Sequence, residues 1–274
     1  MTKHHVRFAP SPTGDLHLGH LYSALYAWQR AGRDPVHFQL RIDDLDHTRC
    51  RDIFINRHCD DLQWFGLSWQ KPPLKQSLRL HRYQHALSYL QEKGVVYPCY
   101  LSRKEVNELL SAPQQTTDTK SGSVLKNAQT EEKQNSGTEP AWRLDIAKIK
   151  QQTGTLYWHD AQKGRCEVDL DRLSDSVIAR RDIGTSYDLS VVLDDYDSGI
   201  TLVTRGEDLY EQTNIHRLLQ HLLQLPTPLY DHHRLITDKD GKRLAKRDDA
   251  RSIAAYREQG FSADDITGFL PEIK

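Results

Sequence analysis

Two histidines, His17 and His20, stand three residues apart just after Pro10-Ser11-Pro12-Thr13-Gly14, a stretch that can continue neither a strand nor a helix. On the first turn of a helix, imidazoles at that spacing share one face. The helix N-terminus beside them offers unpaired N–H groups and partial positive charge, which suits a phosphate. A glycine there, such as Gly19, lets the backbone come close to a ligand. Ring N–H donors so placed can stabilise phosphate oxygens whose charge grows in a transition state. A second set lies far along the chain, Gly241-Lys242-Arg243-Leu244-Ala245-Lys246-Arg247. The surrounding stretch, Lys239 to Arg251, holds six basic residues against three acidic ones. A lysine loop of this kind can clamp ATP phosphates. A third set is Arg7, Asp43, Tyr187 and Arg205. A free amino acid needs an anion for its ammonium group, which Asp43 can supply, and a cation for each carboxylate, which Arg7 or Arg205 can supply bidentately. Taken singly, each set also has an ordinary reading: a turn with surface histidines, a solvated basic loop, structural salt bridges.

The elements that must position these groups follow from periodicity. His5-Val6-Arg7-Phe8 reads as a short strand, and Leu21, Ala24, Leu25 and Trp28 mark an amphipathic helix that Gly32 can stop. Val36 to Ile42 alternates as a second strand and runs into Asp43-Asp44-Leu45-Asp46. Ile55, Cys59 and Leu62 share a helix face ending at Gly66; Leu80, Tyr83, Leu87 and Leu90 share another ending at Lys93-Gly94. Strand, helix, strand, helix in this order predicts an α/β sheet with right-handed crossovers and a ligand site at the strand ends. Arg7 and Asp43 flank such ends. Tyr187 to Arg205, with two apolar stretches around Asp197-Ser198-Gly199, is expected to be a hairpin or strand pair. Ile215, Leu218, Leu219, Leu222 and Leu223 predict a helix that Pro226 ends.

Composition narrows the classes. The 274 residues are 37% hydrophobic and 27% charged, with a net charge of −1, so nucleic-acid contact must come from a local patch. No run of 18 apolar residues is present. The N-terminus lacks the apolar stretch of a secretory signal. The four cysteines, Cys50, Cys59, Cys99 and Cys166, form no CxxC pair, and a reducing cytoplasm is the simplest compartment. Ser111 to Glu139 is polar and without aromatic residues, so it is expected to be an exposed, mobile insertion, with structure resuming at Trp142.

Read together, the segments resemble a family. Arg7 to Gly14 with His17-Leu18-Gly19-His20 resembles the HIGH region of class I glutamyl-tRNA synthetases, and Arg243-Leu244-Ala245-Lys246-Arg247 resembles their KMSKS-type loop. Leu40-Arg41-Ile42-Asp43-Asp44-Leu45-Asp46 resembles the family's LRIEDTD segment; Asp61 to Leu67 and Tyr187 to Asp195 match as well. The resemblance covers about residues 5 to 110 and 140 to 255. The chain stops soon after the KMSKS-type loop, so its length resembles the truncated glutamyl-Q tRNA(Asp) synthetase branch.

The resemblance implies a Rossmann-like, doubly wound parallel sheet carrying an insertion and a small helical C-terminal appendage. It divides the chain into 1–98, the first half of a nucleotide-binding catalytic domain; 99–165, an insertion containing the mobile segment 111–139; 166–238, the second half; and 239–274, the KMSKS-type loop and appendage. It implies ATP-dependent activation of L-glutamate without tRNA, then transfer to queuosine in the anticodon of tRNA(Asp). Arg7, Ala9, Ser11, Asp43, Tyr187 and Arg205 match glutamate-binding positions, with Arg205 on the side-chain carboxylate. His17, Gly19, His20, Arg243 and Lys246 match ATP-binding positions, and His17, His20 and Lys246 the catalytic ones. Magnesium is expected with the ATP. RNA contact is expected from Lys239 to Arg251 and the insertion side, with no membrane and a monomeric chain. Three departures stand out. Asp43 replaces a glutamate and is one methylene shorter, so the ammonium contact shifts or uses water. Arg243 and Ala245 replace a lysine and a serine. The cysteines of the branch's zinc site are missing: Cys99 is followed by Tyr100 and Leu101, so no zinc is expected. The competing readings are a non-catalytic paralogue that binds nucleotide or RNA, and a fragment of an ordinary glutamyl-tRNA synthetase.

Overall fold

The computed structural model describes residues 3–111, 121–129, 137–236 and 251–273. Its strands are β1 (Val6–Phe8), β2 (Phe38–Ile42), β3 (Leu74–Lys75), β4 (Val96–Cys99), β5 (Ala141–Leu144), β6 (Tyr157–Asp160), β7 (Gly164–Glu167), β8 (Val177–Ala179), β9 (Leu202–Gly206) and β10 (Leu229–His233). The first three form a parallel sheet in the order β1-β2-β3, with Val6 opposite Phe38 and Phe8 opposite Leu40. A second sheet has the order β7-β6-β10-β9, parallel except for the β6–β7 hairpin. The His5 carbonyl joins the two edges by accepting from the Thr201 and Leu202 N–H groups at 3.0 and 3.2 Å. The expected α/β architecture is therefore present. Strands covered on both faces read as near-continuous apolar runs. Arg7 on β1 and Arg41 on β2 interrupt those runs, and buried there they require partners.

Helices α1 (Leu18–Arg30), α2 (Asp52–Trp64) and α3 (Leu80–Glu92) fall where the periodicity puts them. Gly66 and Gly94, at φ 78° and 64°, supply the left-handed residue that ends α2 and α3. Among the described residues in the middle of the chain lie three short helices, α4 (Arg103–Ser111), α5 (Ser121–Asn127) and α6 (Ile146–Gln152). The hairpin expected after Tyr187 is instead helix α7 (Tyr187–Asp197), followed by a turn and β9. Ser186 caps α7 by accepting from the Leu189 N–H at 3.3 Å, and Asp188 sits in its first turn. The Val191-Val192-Leu193 run favours a strand locally, but helical geometry lets the next two carboxylates reach different partners. Asp194, fully buried, accepts from Gln76, Arg79 and Tyr83, while Asp195 meets Arg7 and Arg41. Helix α8 (Thr213–Leu222) follows as expected.

Strands β4, β5 and β8 make a separate antiparallel sheet. The stretch 111–139, expected to be exposed throughout, is ordered over its described part. Its helix α5 buries Leu125 against Cys99, Leu101 and Val106. Lys126 of the same helix pairs with Asp145 at 2.6 Å, and polar composition alone conceals both contacts. After residue 250 the chain forms α9 (Ile253–Glu258) and α10 (Ala263–Thr267). Ile253 and Ile266 join the core under α1 and α2, and Arg257 pairs with Asp61 at 2.7 Å. The helical appendage is thus docked on the first half of the fold.

Candidate active site

The site lies at the carboxyl ends of β1, β2 and β9. Three contacts hold its proline-rich loop: the Asp43 N–H donates to the Pro10 carbonyl at 3.1 Å, the Arg51 N–H to Pro12 at 3.0 Å, and His58 Nε2 to Gly14 at 2.8 Å. The loop delivers His17 as the N-cap of α1. His17 Nδ1 accepts from the Gly19 N–H at 3.1 Å, and His20 Nδ1 accepts from the His17 N–H at 3.4 Å. The rings stack with centroids 3.8 Å apart. Because each Nδ1 accepts, each neutral ring carries its proton on Nε2. The far end of the chain returns to this point: Ser252 bridges His17, and the Ile253 N–H donates to the Leu16 carbonyl at 2.8 Å.

Behind the loop runs a row of alternating charges. Arg7 Nε donates to Asp195 Oδ1 at 2.9 Å and Arg7 Nη1 to the Thr204 carbonyl at 2.9 Å. Arg41 Nη1 donates to the same Asp195 oxygen at 2.6 Å, and Arg41 Nε and Nη2 hold both oxygens of Asp43 at 2.7 and 3.3 Å. Burial pushes Asp195 up, but Arg7 and Arg41 outweigh it and hold the carboxyl below its usual value. Burial likewise pushes Asp43 up, against the pull of Arg41. The row explains why both arginines are tolerated inside the sheet. It also means that Arg7 and Asp43, read as substrate groups from the sequence, already have protein partners.

Arg205, 6% exposed on β9, differs. Its Nε donates to His232 Nε2 at 3.3 Å, its Nη1 to His216 Nδ1 at 3.2 Å, and its Nη2 to the Thr213 hydroxyl. Among the described residues, no carboxylate pairs with it. Among the described residues, one N–H on each terminal nitrogen has no partner, and two such donors can grip a carboxylate bidentately.

Arg7, Ala9, Ser11, His17, Gly19, His20, Asp43, Tyr187 and Arg205 all line one cavity of about 470 Å³. The sequence places every one of them in a candidate site, and the fold brings them to one cavity. Tyr187 stands at the rim, 41% exposed. Arg243 and Lys246 lie outside the described residues; the chain leaves the cavity wall at Ile236 and re-enters view at Arg251, next to Ser252 and His17. Arg41, Asp195, His216, His232 and His233 escaped notice in the sequence. Arg41 had a signal, since it sits two residues before Asp43 on the same strand face. His233 also lines the cavity, with a buried Nε2 that has no partner among the described residues. No group of three or more His, Cys, Asp or Glu among the described residues has metal-holding geometry. Cys99 is packed with Leu101, Val106 and Leu125.

Residues 3–271 match the family described as tRNA synthetases class I (E and Q), catalytic domain. The chain belongs to this family. A glutamyl-Q tRNA(Asp) synthetase from Rhodobacter capsulatus is 43% identical over 273 residues, covering 95% of this chain and 97% of that protein. A glutamate–tRNA ligase from Burkholderia lata is 35% identical over 98% of this chain but only 57% of its own length. Among solved structures, a glutamate–tRNA synthetase from Elizabethkingia anophelis superposes with a TM-score of 0.79 at 25% identity, over 96% of this chain and 60% of that one. The chain thus spans somewhat over half the glutamate–tRNA ligases it matches and nearly all of the Rhodobacter protein. The synthetase family is a family of ligases, and the cavity at the strand ends is where such an α/β fold binds its ligands. Among the described residues no helix is long and apolar enough to cross a membrane.

Proposed function

We propose that this synthetase activates L-glutamate with ATP in the absence of tRNA, and then esterifies queuosine in the anticodon of tRNA(Asp). The observation that carries the amino-acid choice is Arg205, buried in the cavity with no carboxylate in direct contact among the described residues. The row Arg7–Asp195–Arg41–Asp43 is paired within itself, whereas Arg205 has its carboxylates, Asp188 and Asp160, one imidazole away. Glutamate offers that guanidinium a side-chain carboxylate in direct contact. Its side-chain carboxylate takes the Arg205 fork, its ammonium approaches Asp43, and its α-carboxylate lies toward Arg7, Ala9 and Ser11. Asp43 shares its oxygens with Arg41, so the ammonium contact is offset or runs through water.

The α-carboxylate oxygen attacks the α-phosphorus of ATP, the bond to the β-phosphate oxygen breaks, and pyrophosphate leaves with glutamyl-adenylate formed. No protein nucleophile takes part. The chain supplies position and charge stabilisation: the Nε2–H groups of His17 and His20 from one side, Lys246 and Arg243 from the other. This convergence is supported by the return of the chain at Ser252 beside His17. Magnesium would enter with the triphosphate, whose oxygens would supply ligands; among the described residues Asp43 and Asp208 are the carboxylates that line the cavity. The choice of queuosine-bearing tRNA(Asp) rests on the full-length likeness to the Rhodobacter protein. All four cysteines are unbridged, which fits a reducing cytoplasm.

Glutamate-dependent ATP–pyrophosphate exchange, measured with no RNA and compared with glutamine and aspartate, tests the first step. Transfer of labelled glutamate to tRNA(Asp) with and without queuosine, and to tRNA(Glu), tests the second. No exchange above background would favour a non-catalytic paralogue, and charging of tRNA(Glu) would point to an ordinary glutamyl-tRNA synthetase.

A further inference from the structure

Arg205 sits at the centre of a five-residue chain, Asp188–His216–Arg205–His232–Asp160. The guanidinium can only donate, so His216 Nδ1 and His232 Nε2 must both accept. Each ring therefore carries its proton on the other nitrogen. His216 Nε2 donates to Asp188 Oδ1 at 3.0 Å, and His232 Nδ1 donates to Asp160 Oδ2 at 2.6 Å. Asp188 is on α7, His216 on α8, His232 on β10 and Asp160 on β6, so four elements grip one side chain. Both rings are buried, and burial together with the neighbouring Arg205 charge keeps them below the usual imidazole value.

We infer that His216 and His232 are positioning residues that determine specificity: they fix the Arg205 fork and, by staying neutral, leave its charge for a carboxylate. This rests on the glutamate reading above. A carboxylate in direct contact would orient the fork equally well but would cancel that charge. Neutral acceptors backed by Asp188 and Asp160 orient it while keeping the carboxylates one ring away. A fixed fork also disfavours a side-chain amide. The two remaining N–H groups need two acceptor atoms, and an amide offers one acceptor and one donor.

The full chain with nitrogen-15-labelled histidine should show His216 neutral with its proton on Nε2 and His232 neutral with its proton on Nδ1 at neutral pH. An imidazolium at either position, or the opposite tautomer, overturns the inference. In the exchange assay, His216→Leu and His232→Leu should each raise the glutamate KM about tenfold, well beyond any change in kcat or in the ATP KM. The preference for glutamate over glutamine should narrow. His216→Gln, whose amide oxygen can accept from Arg205, should recover most of the loss. A glutamate KM within twofold of wild type in both leucine variants overturns the inference, as does equal loss in His216→Leu and His216→Gln. A wild-type protein without glutamate-dependent exchange would remove the glutamate reading, and the tautomers alone would then decide the fork: the assigned pair upholds it, any other overturns it.

Discussion

At the carboxyl ends of β1 and β2, four charged side chains, Arg7, Asp195, Arg41 and Asp43, are buried as one connected row. Between β4, α4 and α5, a small apolar cluster buries Cys99, Leu101, Val106 and Leu125. The apolar group needs only volume and contact, and tolerates a change of shape at modest cost. The charged row needs each member, because removing one strands its neighbour in a medium that cannot solvate it. The charged row is thus held by interactions that fail together, and the apolar cluster beneath α5 by interactions that fail one at a time.

Asp195→Ala is the severest test of that contrast. It should cost about 3–5 kcal/mol of folding free energy by leaving Arg7 and Arg41 without their shared carboxylate, and it should abolish exchange. Urea unfolding at neutral pH measures the first. A loss under about 1 kcal/mol would mean that the row is not cooperative. Arg205→Ala comes next. Its direct neighbours are imidazoles and a hydroxyl, so the fold should lose less than in Asp195→Ala while the glutamate KM rises about a hundredfold. Equal damage to the ATP KM would contradict its assignment to the amino acid. Lys246→Ala should lower the activation rate about 10- to 100-fold with a smaller effect on glutamate KM. Unchanged activation would remove the lysine loop from the site.

Protonation sharpens the comparison further. Burial lowers His216, His232 and His233 below the ordinary value of 6.5. The unfolded chain therefore binds protons that the folded one refuses. Stability from these rings is present above pH 6.5 and is lost as the pH falls below it. Urea unfolding at pH 7.5 and 5.5 should show the decline, and His216→Gln should flatten it. Leu125→Ala should have the smallest effect on activity: about 2–3 kcal/mol lost locally, seen as faster hydrogen exchange in α5, with exchange kinetics within twofold of wild type. A larger effect on catalysis would mean that the inserted sheet and the cavity are coupled.

The sequence disclosed much of the site because its residues lie in short segments beside strand ends: the Pro10–Gly14 loop, His17 and His20, and Asp43. Periodicity located α1, α2, α3 and α8, since their apolar faces repeat at the helical interval. It misread Tyr187–Asp197, where Val191-Val192-Leu193 looks like a strand and the deciding interactions are made with Gln76, Arg79, Arg7 and Arg41, far away in the chain. It also misread Leu125, one apolar residue in a polar stretch. The partners of Arg205 were illegible for the same reason: His216 and His232 are unremarkable in sequence, and only the packing of α8 against β9 and β10 makes them neighbours.

A line of alternating charges that sums to zero has a field that dies away over a few ångströms, well inside the Debye length of roughly 8 Å at physiological ionic strength. Arg205, with Asp188 and Asp160 each one imidazole away, is likewise a short-range group. The inner cavity therefore senses a substrate on touch rather than from afar, so added salt should change the association rate of glutamate only modestly.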